Sequence, residues 1–185
     1  MGTKSVLLML LTATATVGCD KSSSRTAPTT RPSSQASRPA EMTYPWADAV
    51  AGDFVRILTD VQSPVVTALE VVQADQKEVV VNLTVITAGA TSGAAKEIVY
   101  SRKDDPSRIV DFVRQARRLA PQSLTVAGKK VQCDVYELQT GQGPDTTVKR
   151  LYLSPQVPGR LVRMEQGPPG GLRVVSEVVD FARKQ

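Results

Sequence analysis

EVVVNLTVIT, residues 78–87, reads as a β-strand with apolar residues on both faces, and the domain around it follows from that reading. Val79, Val81, Leu83 and Val85 fall on one face at the period of two that an extended chain imposes. Val80 and Ile86 make the second face partly apolar, which places the strand inside a sheet and away from its edge. Before it come DFVRILTD (53–60) and VVTALEVVQA (65–74), separated by a turn at Ser63-Pro64. After it, the Gly/Ala-rich AGATSGA reads as a loop leading into a fourth strand, KEIVYSR (96–102).

The period then changes. Ile109, Phe112, Val113, Ala116, Leu119 and Ala120 recur at helical spacing, with Asp105 as N-cap, Pro106 at the first helical position and Pro121 just past the end. These signals predict one helix over 106–120. The last third returns to strands. SLTVAGKKVQCDVYEL reads as a hairpin around Gly128-Lys129, with Val131, Cys133 and Val135 inward and Gln132, Asp134 and Tyr136 outward. VKRLYLS (148–154), LVRMEQ (161–166) and LRVVSEVVDFAR (172–183) follow, divided by Pro/Gly turns. The expected fold is mainly β (α+β): a curled, half-barrel-like antiparallel meander of about nine strands with the helix packed against it, all within 44–185.

The N-terminal segment is organised differently. Residues 6–17 are apolar behind Lys4 but too few to span a bilayer, which takes about 20 apolar residues. A charge, an apolar core and small residues form the layout of a secretory signal over 1–18. Ala13-Thr14-Ala15 offers an ordinary cleavage site that would release a soluble protein. The ending Thr16-Val17-Gly18-Cys19 resembles the lipobox of bacterial lipoproteins, with Thr16 where that family usually carries Leu. The resemblance implies cleavage before Cys19 and a diacylglycerol on its thiol. Residues 19–43 are rich in Ser, Thr, Pro and Arg without large apolar side chains, so they read as a disordered tether. Its reach runs from about 25–30 Å as a coil to about 75 Å as polyproline II.

Charge sharpens this division. The chain is formally +5, with 23 basic and 18 acidic residues, yet from Glu41 onward the counts are 18 and 17. The excess sits in the leader and tether, where spaced cations suit an anionic membrane surface at about 1 kcal/mol each. A near-neutral domain with few aromatics argues against a nucleic-acid partner. Histidine is absent, which removes His-based metal sites, His-activated nucleophiles and His acid–base chemistry. With Cys19 acylated, Cys133 has no internal partner and reads as a small buried hydrophobe.

The domain's element order and its turn at Val157-Pro158-Gly159 resemble the bacterial periplasmic carriers and receptors that move lipoproteins between membranes. That resemblance implies a curled antiparallel sheet whose concave face holds acyl chains, and it transfers no functional residue. The candidate site residues are therefore few. Cys19 is the lipidation point; Arg108, Arg114, Arg117 and Arg118 form a candidate anionic contact patch on the helix. A solvated helix face, with Asp111–Arg114 as an i,i+3 pair, is the plainer reading of those arginines. Glu70, Glu97, Glu137, Glu165 and Glu177 could converge as a pair on a concave face, while Asp104-Asp105 reads as capping. No catalytic set, metal site or cofactor loop is expected. The leading expectation is a membrane-anchored cell-envelope module, outside the cytoplasm, that binds an apolar ligand or lipid-bearing partner. The rival is an interaction protein that docks through sheet edges or the arginine-rich helix face; an enzyme is the least favoured reading.

Overall fold

The computed structural model describes residues 44–59, 64–87 and 90–184, with backbone alone at 90–93. The signal, Cys19 and the tether lie outside the described residues. Nine strands form one antiparallel sheet. The first four, β1 (Phe54–Thr59), β2 (Val65–Ala74), β3 (Glu78–Thr87) and β4 (Ala90–Ser101), run outward as consecutive hairpins. Helix α1 (Ile109–Gln115) then crosses to the far edge. From there β5 (Arg117–Val126), β6 (Lys129–Thr140), β7 (Thr147–Leu153), β8 (Leu161–Gly167) and β9 (Arg173–Ala182) return inward until β9 pairs with β1. The order β4-β3-β2-β1-β9-β8-β7-β6-β5 is thus two meanders joined at β1 and β9.

Strand β3 behaves as its apolar pattern requires. Val79 and Val81 are fully buried, Val80 and Ile86 half-buried, and β3 lies between β2 and β4. Of the expected loop over 88–94, residues 88 and 89 lie outside the described residues and the rest is strand, since β4 begins at Ala90 and pairs with β3 from Thr87↔Ala90. Ladder hydrogen bonds outweigh the weak strand preference of glycine and alanine there.

The sheet curls. In a flat sheet β5 and β9, four strands apart, would lie about 19 Å from each other. Here they come into contact, and the Lys129 ammonium donates to the Phe181 carbonyl across the gap at 3.2 Å. The concave side is filled by Val131, Cys133, Val135, Val162, Val178 and Phe181, which belong to one buried cluster. The hairpin at its closing edge turns on Ala127 and Gly128, both at positive φ (48° and 76°), the twist-matched geometry that favours glycine.

Helix α1 is shorter than its apolar spacing predicts: seven residues, 109–115, in place of 106–120. Its N-terminus is capped from Asp105, whose carboxylate accepts the amides of Ile109 (2.8 Å) and Val110 (2.6 Å), with Arg108 left-handed (φ 53°) between them. Ala116 turns extended, and Arg117, Arg118 and Leu119 pair instead with Glu137, Tyr136 and Val135 of β6. Pro121 disfavours helical geometry at Ala120 and sits at a register shift of the edge strand, where its missing N–H costs no ladder bond.

A latch at one end of the strands holds the segment that precedes β1. Arg102 donates to the carbonyls of Asp75, Trp46 (3.3 Å), Ala47 (2.7 Å) and Ala49 (3.1 Å). Asp48 pairs with Arg160 (3.1 Å) and Arg183 (3.2 Å), and buried Asp53 accepts the amides of Val50 and Lys184. Trp46 stacks on Tyr100, centroids 5.9 Å apart, against Gly159, where a Cβ would press into the indole at 3.3 Å.

Candidate functional site

Two constellations stand out, one on each face of the β6–β8 region. The first is a groove between α1 and the sheet. Tyr136, Leu151 and Leu153 face away from the main core and are covered by Ile109, forming a second buried cluster. Tyr136, expected outward, is therefore buried (7% exposed), because α1 lies over it. The cover is partial. Phe112, Leu161 and Met164 remain half-buried and, with Ile109 and Leu151, give an apolar lining to an opening of about 490 Å³. That volume falls within the range of small-ligand sites. The rim carries Ser107, Arg108, Asp111, Gln115 and Lys149. The Lys149 ammonium stands 5.9 Å from the centroid of the Phe112 ring.

The four arginines expected on one helix face are dispersed. Arg108 borders the groove and Arg114 pairs with Asp111 at 3.3 Å. Arg117 and Arg118 lie on β5, bonded to Glu137 (2.9 Å) and Asp134 (2.7 Å). The helix-face patch is corrected accordingly: the helix ends before two of its members, and of the four only Arg108 reaches the groove. Lys149, Leu151, Leu161 and Met164 carried no expectation. Leu151, Tyr152 and Leu153 in succession were the available signal, since three apolar residues in a row on a strand demand cover on both faces.

The second constellation is an ionic ladder. Arg117, Glu137, Arg150 and Glu165 stand directly opposite one another across β5–β8, and Tyr152, Arg163 and Glu177 form the next row. Glu137, only 8% exposed, takes Arg150 at 2.7 Å and Arg117 at 2.9 Å. Glu165 takes Arg150 at 3.5 Å and the Tyr152 hydroxyl at 3.0 Å, while Arg163 bonds Glu177 at 3.0 Å. Three of the five glutamates thus converge, with Arg150 between Glu137 and Glu165 and Arg163 between Glu165 and Glu177. Glu70 and Glu97 are exposed and flank Asn82 on neighbouring strands. The Arg150 guanidinium, then Arg117, hold the Glu137 carboxyl below its ordinary value, although burial opposes them. A general acid needs the opposite shift, so the ladder fastens strands and keeps the Glu137 carboxylate ionised.

The remaining expected residues have local roles. Asp104 accepts the Ser101 amide at 2.7 Å, and Asp105 caps α1, so neither carboxylate faces the other as a catalytic pair. Cys133 is fully buried, and burial pushes its thiol up to about 11. Among the described residues no His/Cys/Asp/Glu group is placed to hold a metal ion. No helix among them is long and apolar enough to cross a membrane.

No family model matches the chain, and no curated protein does. The fold is similar to the crystal structure of a candidate exported protein with a YmcC-like fold from Bacteroides fragilis NCTC 9343. The TM-score is 0.50 at 13% identity, over 77% of this chain and 100% of that one. The likeness establishes the architecture: a mainly β, nine-strand antiparallel sheet with one short helix.

Proposed function

We propose that the chain is a binding module of the bacterial cell envelope, exported and membrane-tethered through Cys19, that holds an apolar ligand in the groove beneath α1. The observation that carries this reading is the half-covered apolar lining of Phe112, Leu161 and Met164. The signal layout, the Gly18-Cys19 ending and the fold's likeness to a candidate exported protein support a place outside the cytoplasm, the periplasmic side in a two-membrane bacterium. The concave side of the sheet, where the resemblance to lipoprotein carriers implied acyl chains, is packed with valine, so the ligand belongs on the helix side.

Binding is tested with the Cys19→Ala chain and the fluorescent apolar probe N-phenylnaphthylamine. Saturable binding that is lost when Leu161→Trp or Met164→Trp fills the groove supports the reading. Absence of binding, or binding that both variants leave intact, overturns it. The anchor is tested by metabolic labelling with palmitate: label in the wild type and none in Cys19→Ala is expected. An unlabelled wild type would discard the anchor in favour of cleavage after Ala15.

A further inference from the structure

We infer that the groove selects a single-chain amphiphile with an anionic head, carboxylate or phosphate, the head meeting Arg108 and Lys149 and the chain lying on Phe112, Leu161 and Met164. The inference rests on the groove being a ligand site, and it adds the chemistry of the ligand.

Charge around the rim is lopsided. Asp111 is the one acidic lining residue, and Arg114 beside it neutralises it at 3.3 Å. The nearby carboxylate of Asp105 is spent on the amides of Ile109 and Val110. Among the described residues neither Arg108 nor Lys149 has a carboxylate partner within ion-pair distance, whereas Arg117, Arg118, Arg150 and Arg163 all do. Two cations therefore stand over an apolar floor without local compensation. Lys149 is half-buried, with its ammonium against the Phe112 ring, so a bound anion would be met in a partly desolvated setting where charge-assisted hydrogen bonds are stronger.

Size limits the chain. A methylene takes up about as much room as a water molecule in the liquid, about 30 Å³, so the opening is on the scale of about 16 carbons. That suits one hydrocarbon chain better than the pair carried by a diacyl lipid. The same charge argues against the protein's own tether as occupant, because residues 20–40 carry four cations and one acid. Like charges would face each other across the rim.

The test is calorimetric titration of the Cys19→Ala chain with dodecanoate, dodecyl phosphate, dodecyl maltoside and inorganic phosphate, each below its micelle concentration where one exists. The two anionic amphiphiles are expected to bind at least about tenfold tighter than the maltoside, the worth of one charge-assisted contact. Inorganic phosphate alone should show no saturable heat. Arg108→Asn with Lys149→Gln should remove the preference while maltoside binding persists; Asn suits the left-handed backbone at 108. Equal affinity for the maltoside and the anions would overturn the anionic head and leave the apolar site standing. Phosphate binding as tight as dodecyl phosphate would reduce the site to a plain anion site and overturn the chain. Adsorption of the protein to anionic vesicles with no affinity for the monomeric amphiphiles would place a bilayer surface at the rim and also overturn the proposal. Failure of every ligand, N-phenylnaphthylamine included, would remove the ligand site itself.

Discussion

Arg102→Lys tests whether the latch holds the domain's first residues through geometry or merely through charge. The guanidinium spreads donors over four backbone carbonyls, those of Asp75, Trp46, Ala47 and Ala49. Lysine keeps the charge but concentrates it on one nitrogen, which can satisfy one or two of these oxygens. Losing two or three bonds at about 1 kcal/mol each, a value at the lower end for charged donors because the site is partly wet, costs about 2–3 kcal/mol. In a domain of this size that lowers Tm by about 6–9 °C. Trp46, the chain's sole tryptophan, reports the same event locally. It is 5% exposed and stacked on Tyr100, so release of the segment should raise acrylamide quenching of its fluorescence before the sheet melts. Lys103→Ala, at the exposed neighbouring position, is the control and should change neither signal. A Tm within about 2 °C of wild type with Trp46 still shielded would refute the reasoning, because charge alone would then hold the latch.

Other consequences follow from the same contacts. Glu137→Gln removes the centre of the ladder and should destabilise the domain by about 2 kcal/mol at pH 7, below the usual cost of breaking a buried pair because Arg117 stays hydrated. Since the folded Glu137 carboxyl titrates below its ordinary 4.5, its contribution is present above that pH and lost as pH falls through the folded value. The wild-type and variant melting curves should therefore draw together as pH falls, and a gap that stays constant from neutral pH into acid would contradict the assignment. Asp105→Ala frees the amides of Ile109 and Val110, costs about 1–2 kcal/mol of local stability, and should speed their hydrogen exchange about tenfold. Unchanged exchange would mean the cap is dispensable. Cys133, with its thiol near 11, should resist Ellman's reagent at pH 8 until the domain unfolds, and labelling of the native protein within minutes would count against its burial.

What could be read from the sequence was local. Alternation marked β3 and β6, Asp105 announced a cap, and the Pro/Gly turns separated β7 from β8 and β8 from β9. The contacts that decide the site are not local. The ladder joins residues 13 to 20 positions apart along the chain through strand pairing, and no single strand reveals it. The latch is more remote still, with Asp48 bonded to Arg183 across 135 positions. The pairing of β1 with β9 likewise has no signature in either strand, because each would look the same beside any apolar neighbour. Arg117 and Arg118 show the ambiguity at its sharpest: their spacing continues the helix, while their charges are answered by Glu137 and Asp134 on the next strand.

That ambiguity also accounts for the groove. A helix over 106–120 would extend about 22 Å, close to the roughly 23 Å of a seven-residue strand, and would cover the apolar outer face of β7 and β8 from end to end. The seven residues of α1 extend only about 10 Å. The chain gives up the rest of the cover when Arg117–Leu119 join β6, exchanging helix contacts for ladder bonds and two ion pairs at the sheet edge. Leu151 stays under Ile109, but Leu161 and Met164 are left half-exposed beside Arg108 and Lys149. An apolar floor with two uncompensated cations is thus what remains when β5 takes residues that the periodicity assigned to the helix. Lengthening α1 at the expense of β5 would extend the cover and take Arg117 from Glu137 in the same step, so the opening goes with the strand pairing that the fold adopts.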